Sequence, residues 1–321
     1  MTQLEELRLM AKIAHLYYEL QMKQADIAEQ LDVSQASISR LLKRAEEEKI
    51  VRITVSMPAG VYADLEEELR VAFDLKEVII AHCMQDDDEY IQRAIGAAAA
   101  YYLENTLKKN EIIGISSWSS TLLQMVDAMH PISRKLDAQV VQILGGLGNP
   151  EAALHANRLN ERLSRLINGS ARFLLAPGVV GSMEARQILL EDPYVKAVVD
   201  LFDDMTLALV GIGGVEPSKM LASSGNIFST DELEFLKNAG AVGDICLQFF
   251  DASGKPVRTA LTDRVIAISL DQLRRVERTV GLAGGQRKTT AIRGALEGKW
   301  INVLITDRFT AERLLQGIAH E

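Results

Sequence analysis

Residues 24–56, QADIAEQLDVSQASISRLLKRAEEEKIVRITVS, constrain this chain more than any other stretch. The spacing predicts a short helix from Gln24 to Leu31 with Ile27, Ala28 and Leu31 inward, and Ala28 small where two helices cross. Asp32-Val33-Ser34 follows as a turn. Asp tolerates positive φ better than most residues, Val33 plugs a small core, and Ser34 is a good N-cap. Gln35 to about Lys49 then reads as a second helix, with Ile38, Leu41, Leu42 and Ala45 on one face at roughly 100° per residue. Ile50–Ser56 alternates apolar and polar, as a half-buried strand does. An earlier helix over 3–20 carries Leu4, Leu7, Ala11, Ala14 and Tyr18 at spacings of three and four. Only Lys23 departs, since Ser or Thr would cap the Gln24 helix better.

Together these make a winged helix-turn-helix. An α-helix fits the major groove and its N-terminal residues reach base edges. Gln35, Ala36, Ser37 and Ser39 are therefore expected at or near bases, with Arg40 on guanine or phosphate. Lys43, Arg44 and, on the wing, Arg52 are expected on phosphates, which give affinity without sequence information. The competing reading is a helical hairpin that only packs or binds protein.

A net charge of −9 suits a DNA-binding chain poorly until it is divided. Residues 1–56 hold eight Lys/Arg and nine Asp/Glu, leaving 27 basic and 35 acidic residues to the rest. The body should repel DNA while a small, nearly neutral head presents one local basic face, so binding should be salt-sensitive and reliant on several heads. Cys83 and Cys246 stand far apart with no CxxC, as buried reduced thiols do. The five histidines show no metal-ligand spacing, and no cofactor is expected. The N-terminus lacks a signal-peptide pattern and no apolar stretch is long enough to span a bilayer, so a cytoplasmic protein is expected.

At 321 residues the chain suits two or three domains: a head over 1–56, a linker with a helix at about 61–73, and a body over 76–321. Met57-Pro58-Ala59-Gly60 breaks the wing strand. The linker helix turns Val61, Leu65, Leu69 and Ala72 inward, and its Glu66–Glu68 run reads as a solvated turn. Beyond it, short apolar runs alternate with helical ones. Strands are expected at 78–81, 112–115, 140–144, 173–175, 207–212, 245–250, 276–283 and 301–306, and helices at 88–103, 121–129, 154–167, 289–297 and 311–319. That alternation implies an α/β fold with a mostly parallel sheet covered on both faces. Ligands of such sheets sit beyond the carboxyl ends of the strands.

Four loops there carry ligand chemistry. Gly114-Ile115-Ser116-Ser117-Trp118-Ser119-Ser120-Thr121 places hydroxyls and free N–H groups at a helix start, which favours an anion. Gly145-Gly146 after VVQIL lets backbone approach a ligand. Gly240–Asp244 leads toward the apolar strand, with Asp244 placed to accept from sugar hydroxyls. Gly284-Gly285 precedes Lys288 at another helix start, where a phosphate or hydroxyl is held. The bland alternatives are N-caps, tight turns and solvated charges. Dinucleotide fingerprints fail: the third glycine falls on Glu216 after Gly211-Ile212-Gly213, and on Glu151 after Gly146-Leu147-Gly148.

QADIAEQLDVSQASISRLLKRA, GISSWSSTL, VVQILGGLG, ALVGIGG, GAVGDICLQFFDASGKPV and GLAGGQRKTTAIRGALEGKWINVLITD resemble the SorC/DeoR-type transcriptional regulators of bacterial carbohydrate operons, over nearly the whole chain. The resemblance implies a Rossmann-like effector domain similar to the sugar-phosphate isomerase and CoA-transferase superfamily. It further implies a sugar, polyol or phosphosugar effector, and dimers or tetramers on palindromic operators. It puts the phosphate-cradling hydroxyls on Ser119 and Ser120, with Thr121 beside them, the glycine pair on Gly145 and Gly146, the acidic contact on Asp244 and the late lysine on Lys288; Ser117 joins the expected effector contacts as a hydroxyl of the same loop. Members often carry Gly after the loop Trp. Ser119 stands there in this chain, which narrows the cradle and leaves an unphosphorylated polyol or sugar open. The alternative is a sugar-phosphate isomerase- or deaminase-like enzyme with a DNA-binding head, whose base would be Asp244.

Overall fold

The structure, a computed structural model, describes residues 3–51, 62–146, 150–216 and 229–316, without the side chains of 3–4 and 150–157. The expected wing strand beyond Val51, with Arg52, lies outside the described residues, as do Gly148 and Asn149. The chain divides into two compact units, Met1–Val55 and Ser56–Glu321.

In the first unit α1 (Gln3–Ala14) continues as a π-helical turn, His15–Glu19, and is followed by α2 (Gln24–Gln30) and α3 (Gln35–Glu47). The core comprises Met10, Ile13, Ala14, Leu16, Ile27, Ala28, Ile38, Leu42 and Ala45, with Val33 packed at its margin. Ala11, expected inside, is exposed. Met10, Ile13, Ala14 and Tyr17 form an equally regular stripe with larger side chains, and the larger apolar surface faces inward. Asp32 takes φ 50°, and Ser34 Oγ caps α3 by accepting from Ser37 N at 3.2 Å.

The second unit opens with α4 (Ala63–Ala72) and β1 (Glu77–Ala81). Then come α5 (Asp88–Thr106), β2 (Ile112–Ile115), α6 (Ser120–Ala128), β3 (Gln139–Gln142), α7 (Pro150–Leu166) and β4 (Ser170–Arg172). Next are α8 (Met183–Glu191), α9 (Pro193–Val199), β5 (Leu207–Gly211), β6 (Gly213–Gly214), α10 (Thr230–Asn238), β7 (Ala241–Ile245) and β8 (Gln248–Asp251). The unit closes with α11 (Leu270–Arg275), β9 (Arg278–Leu282), α12 (Thr289–Glu297), β10 (Val303–Asp307) and α13 (Arg308–Gln316). Seven strands form one parallel sheet in the order β1-β10-β9-β5-β2-β3-β4, and β6-β7-β8 make a small antiparallel sheet. Successive strand residues alternate between two cores: Ala208 and Val210 face one, Leu207 and Leu209 the other. Both faces are thus covered, as a parallel sheet requires.

Two expected strands are corrected. Phe173–Leu175 lies past the sheet and Leu175 is 70% exposed; the paired residues are Ser170–Arg172. The expected strand over 245–250 is instead a hairpin, β7 turning into β8 at Cys246 and Leu247, whose φ values are 53° and 62°. Both turn residues sit in the left-handed region that hairpin turns of this kind require. Asp244 secures the turn, its Oδ2 accepting from Leu247 N at 2.9 Å. The Glu66–Glu68 turn is not wholly solvated either: Glu66 Oε1 accepts from Ile80 N at 2.8 Å on the edge strand β1.

Candidate effector site and nucleic-acid interface

On α3 the residues Gln35, Ala36, Ser39, Arg40 and Lys43 are exposed. Positions 36, 39, 40 and 43 fall on one side of a helix. Arg40 Nε donates to Ala36 O at 3.2 Å, which folds its stem along the helix. Ser37 is half-buried and its Oγ lies 2.8 Å from Ser34 Oγ, so it serves the cap as well as the surface. Arg44 is placed differently from Arg40 and Lys43. Its guanidinium pairs with Glu6 on α1 and with Glu48, so in the free head it ties helix to helix.

The seven-stranded sheet reverses its direction of winding between β2 and β5. From β2 the chain proceeds outward through β3 and β4; β5 returns to the other side of β2 and β9 and β10 continue away from it. Loops leaving the carboxyl ends at such a reversal diverge and leave a crevice. Ser119 caps α6 there, its Oγ accepting from Leu122 N at 3.3 Å. A Cβ on Gly211 would lie 2.7 Å from Ser119 Oγ, so only glycine at the end of β5 lets the two loops approach this closely.

The small sheet brings the acid to the same place. Asp244 pairs in register with Gly213, two residues beyond β5. Contacts also join β6 to the turn Gln286–Lys288, and the charges of Asp244 and Lys288 act on each other. Both side chains are half-buried overall, but their charged ends have lost water. Burial pushes the Asp244 carboxyl up to about 6, partly opposed by the Leu247 N–H and by Lys288. Burial pulls the Lys288 ammonium below the usual lysine range, opposed by Asp244 and Asp88. A desolvated acid and a desolvated base within reach of each other's charge are suited to polar groups of a ligand rather than to bulk water. Ser117 is 5% exposed and its Oγ has no hydrogen-bond partner, nor have Trp118 Nε1 and Thr289 Oγ1. Trp118 and Thr289 were not singled out by sequence. Their only signal was adjacency to Ser117 and Lys288.

Of the other expected contacts, Ser120 and Thr121 form the first turn of α6. Gly145 N donates to Ile266 O at 3.0 Å and Gly146 bridges to Pro177, so this pair packs backbone on backbone. Gly285, at φ 96°, donates through its N–H to Thr310 Oγ1 at 2.8 Å and to Asp307 Oδ2 at 3.3 Å; Gly284 packs on Asp307. These two glycines position the Lys288 turn. Among the described residues no group of three or more His, Cys, Asp or Glu is placed to hold a metal ion, and no helix is long and apolar enough to cross a membrane. Cys83 and Cys246 are free and buried.

A family model described as "Putative sugar-binding domain" matches residues 58–316. The deoxyribonucleoside regulator of Bacillus subtilis (strain 168) is 32% identical over 314 residues, spanning 98% of this chain and 99% of its own. The sorbitol operon regulator of Klebsiella pneumoniae is 32% identical over 316 residues, 97% of this chain and 99% of its own. The crystal structure of the full-length Klebsiella regulator SorC superposes with a TM-score of 0.76 over 96% of this chain and 98% of that one. A solved domain described as "Putative sugar-binding domain of transcriptional regulator DeoR" from Pseudomonas syringae pv. tomato is 42% identical, with a TM-score of 0.64 over 79% of this chain and 99% of that domain.

The chain belongs to the SorC/DeoR family of sugar-binding transcriptional regulators. It is a regulator rather than an enzyme, with a helical N-terminal unit followed in sequence by an α/β effector domain, and its partners are DNA and a small-molecule effector.

Proposed function

We propose that this family member controls a carbohydrate or polyol catabolic operon and that a sugar, polyol or phosphosugar binds at the β2/β5 reversal. Residues 1–56 act as a winged helix-turn-helix head, 57–75 as the link and 76–321 as a Rossmann-like effector domain of the isomerase/CoA-transferase type. The observation that carries the reading is the convergence of the Ser119 cap, Gly213, Asp244 and the Lys288 turn beyond the carboxyl ends of β2 and β5. There, Asp244 accepts from vicinal hydroxyls. Lys288 and the α6 N-terminus, with Ser117, Ser119, Ser120 and Thr121, hold an oxygen-rich or anionic group. Gly145, Gly146, Gly284 and Gly285 keep the surrounding backbone close.

Gln35, Ala36, Ser37, Ser39 and Arg40 read bases, while Lys43, Arg44 and Arg52 meet phosphates. For Arg44 this means exchanging a carboxylate for a phosphate on binding. Two heads, from a homodimer or within a homotetramer in the cytoplasm, take the half-sites of a palindromic operator. The relatives' names support the class of operon, since they include a sorbitol operon regulator and an erythritol catabolism regulatory protein of Brucella abortus.

The test is a thermal-shift screen of the full-length protein against sugars, polyols and their phosphates. A true effector raises Tm with concentration as occupancy grows and changes operator affinity in fluorescence anisotropy. Should no carbohydrate or phosphosugar do both, the reading is wrong.

A further inference from the structure

The segment from His82 to Asp88, between β1 and the first turn of α5, touches the Lys288 turn through Asp88 and the start of the linker helix through His82. Asp88 pairs with Arg287, its charge acts on Lys288, and its Oδ1 would lie 2.8 Å from a Cβ on Gly285. Asp87 caps α5, its Oδ1 accepting from Glu89 N at 2.9 Å, and Asp86 pairs with Arg313 on α13. The strand end before this turn is held as firmly. His82 Nδ1 lies 2.6 Å from the Tyr62 hydroxyl, and the two rings stack with centroids 6.1 Å apart and planes inclined by 18°. Glu66, one turn along α4, holds Ile80 N. Residues 82–88 are thus a short bridge gripped at both ends. Tyr62 immediately precedes α4 in the chain.

We infer that Asp88 is a positioning residue that couples the Lys288 turn to the Tyr62–His82 contact, so that an occupant of that turn acts on the segment joining effector domain to head. The inference rests on the reading of the β2/β5 reversal as the effector site. The Arg287–Asp88 pair is suited to the part because Arg287 is 82% exposed. An exposed ion pair is weak and readily exchanged, whereas the Tyr62–His82 contact is sheltered. A ligand that draws Lys288 and its neighbours inward alters what Asp88 faces. It shifts the bridge only as far as its affinities for the two arrangements differ.

The test is hydrogen exchange in the full-length protein without ligand, comparing Arg287→Gln, Asp88→Asn and Tyr62→Phe with the unmodified chain. The Arg287 side chain projects into solvent, so that variant keeps its fold. The expected result is at least threefold faster exchange of amides in Ala63–Ala72 in all three variants, with Pro193–Val199 unchanged. Faster exchange confined to 86–90 and 285–290 overturns the inference, and an equal rise in Pro193–Val199 overturns it too, because that is general loosening. No carbohydrate enters this experiment. It can therefore fail while the thermal screen succeeds, or succeed while the screen fails.

Discussion

Asp244 is held in a costly state. Its carboxyl titrates near 6 in the folded chain and near the ordinary 3.8 when unfolded, so the native state takes up a proton first as pH falls. The ionised form therefore costs stability above about pH 6, and that cost is relieved between pH 6 and 4. Chemical denaturation of the unmodified chain and of Asp244→Asn should diverge across this window. The difference should move in favour of the unmodified chain by up to about 3 kcal/mol between pH 7 and pH 4. The same titration should weaken a ligand held through hydroxyl donors, because protonation turns one carboxyl oxygen into a donor and removes the charge that strengthens the bonds it accepts. At the other end of the chain, Ser34→Ala removes the α3 cap and should lower the stability of the head by about 1 kcal/mol, read from its thermal unfolding. Both residues were visible in the sequence, but for different reasons. Ser34 and the positive φ of Asp32 follow from local chemistry alone. Asp244 was expected just ahead of a strand and lies within one, because Cys246 and Leu247 make a turn without the Asn-Gly or Gly-X pair by which such turns are recognised.

At the level of elements, the helix Thr289–Glu297 and the strand Ile112–Ile115 were legible to the residue, since each is bounded by glycine or polar punctuation and buries a regular stripe. The short helices Met183–Glu191, Pro193–Val199, Thr230–Asn238 and Leu270–Arg275 were not. They turn few side chains fully inward, Met183–Glu191 none, so periodicity had little to register. The small antiparallel sheet was missed because its first strand is only Gly213-Gly214. Yet that strand brings Asp244 to the crevice. Gly211→Ala tests the closeness of the loops there. Its methyl would press on Ser119, weaken the α6 cap and cost about 1–3 kcal/mol in Tm-derived stability, with loss of any effector-induced shift. On α3, Lys43→Ala should lower operator affinity on all sequences and reduce the salt slope by about one, whereas Arg40→Ala, if it reads guanine, should cost about 1–3 kcal/mol and relax preference at one position. Anisotropy titrations over a range of salt and of operator variants separate the two.

For the whole molecule, the acidic body and the nearly neutral head predict that operator affinity falls steeply as salt rises, read from anisotropy titrations. Effector and operator must also influence each other equally. If a sugar changes operator affinity by some factor, saturating operator must change sugar affinity by the same factor, measurable by calorimetry with and without DNA. Unequal factors would mean that a further equilibrium, such as assembly, takes part. The carboxylate of Glu66 on the outer margin of β1 bears on that assembly. Because it already occupies the Ile80 amide, a neighbouring polypeptide seeking to extend the sheet by strand addition there would first have to evict it. Strand addition at that rim is thereby disfavoured.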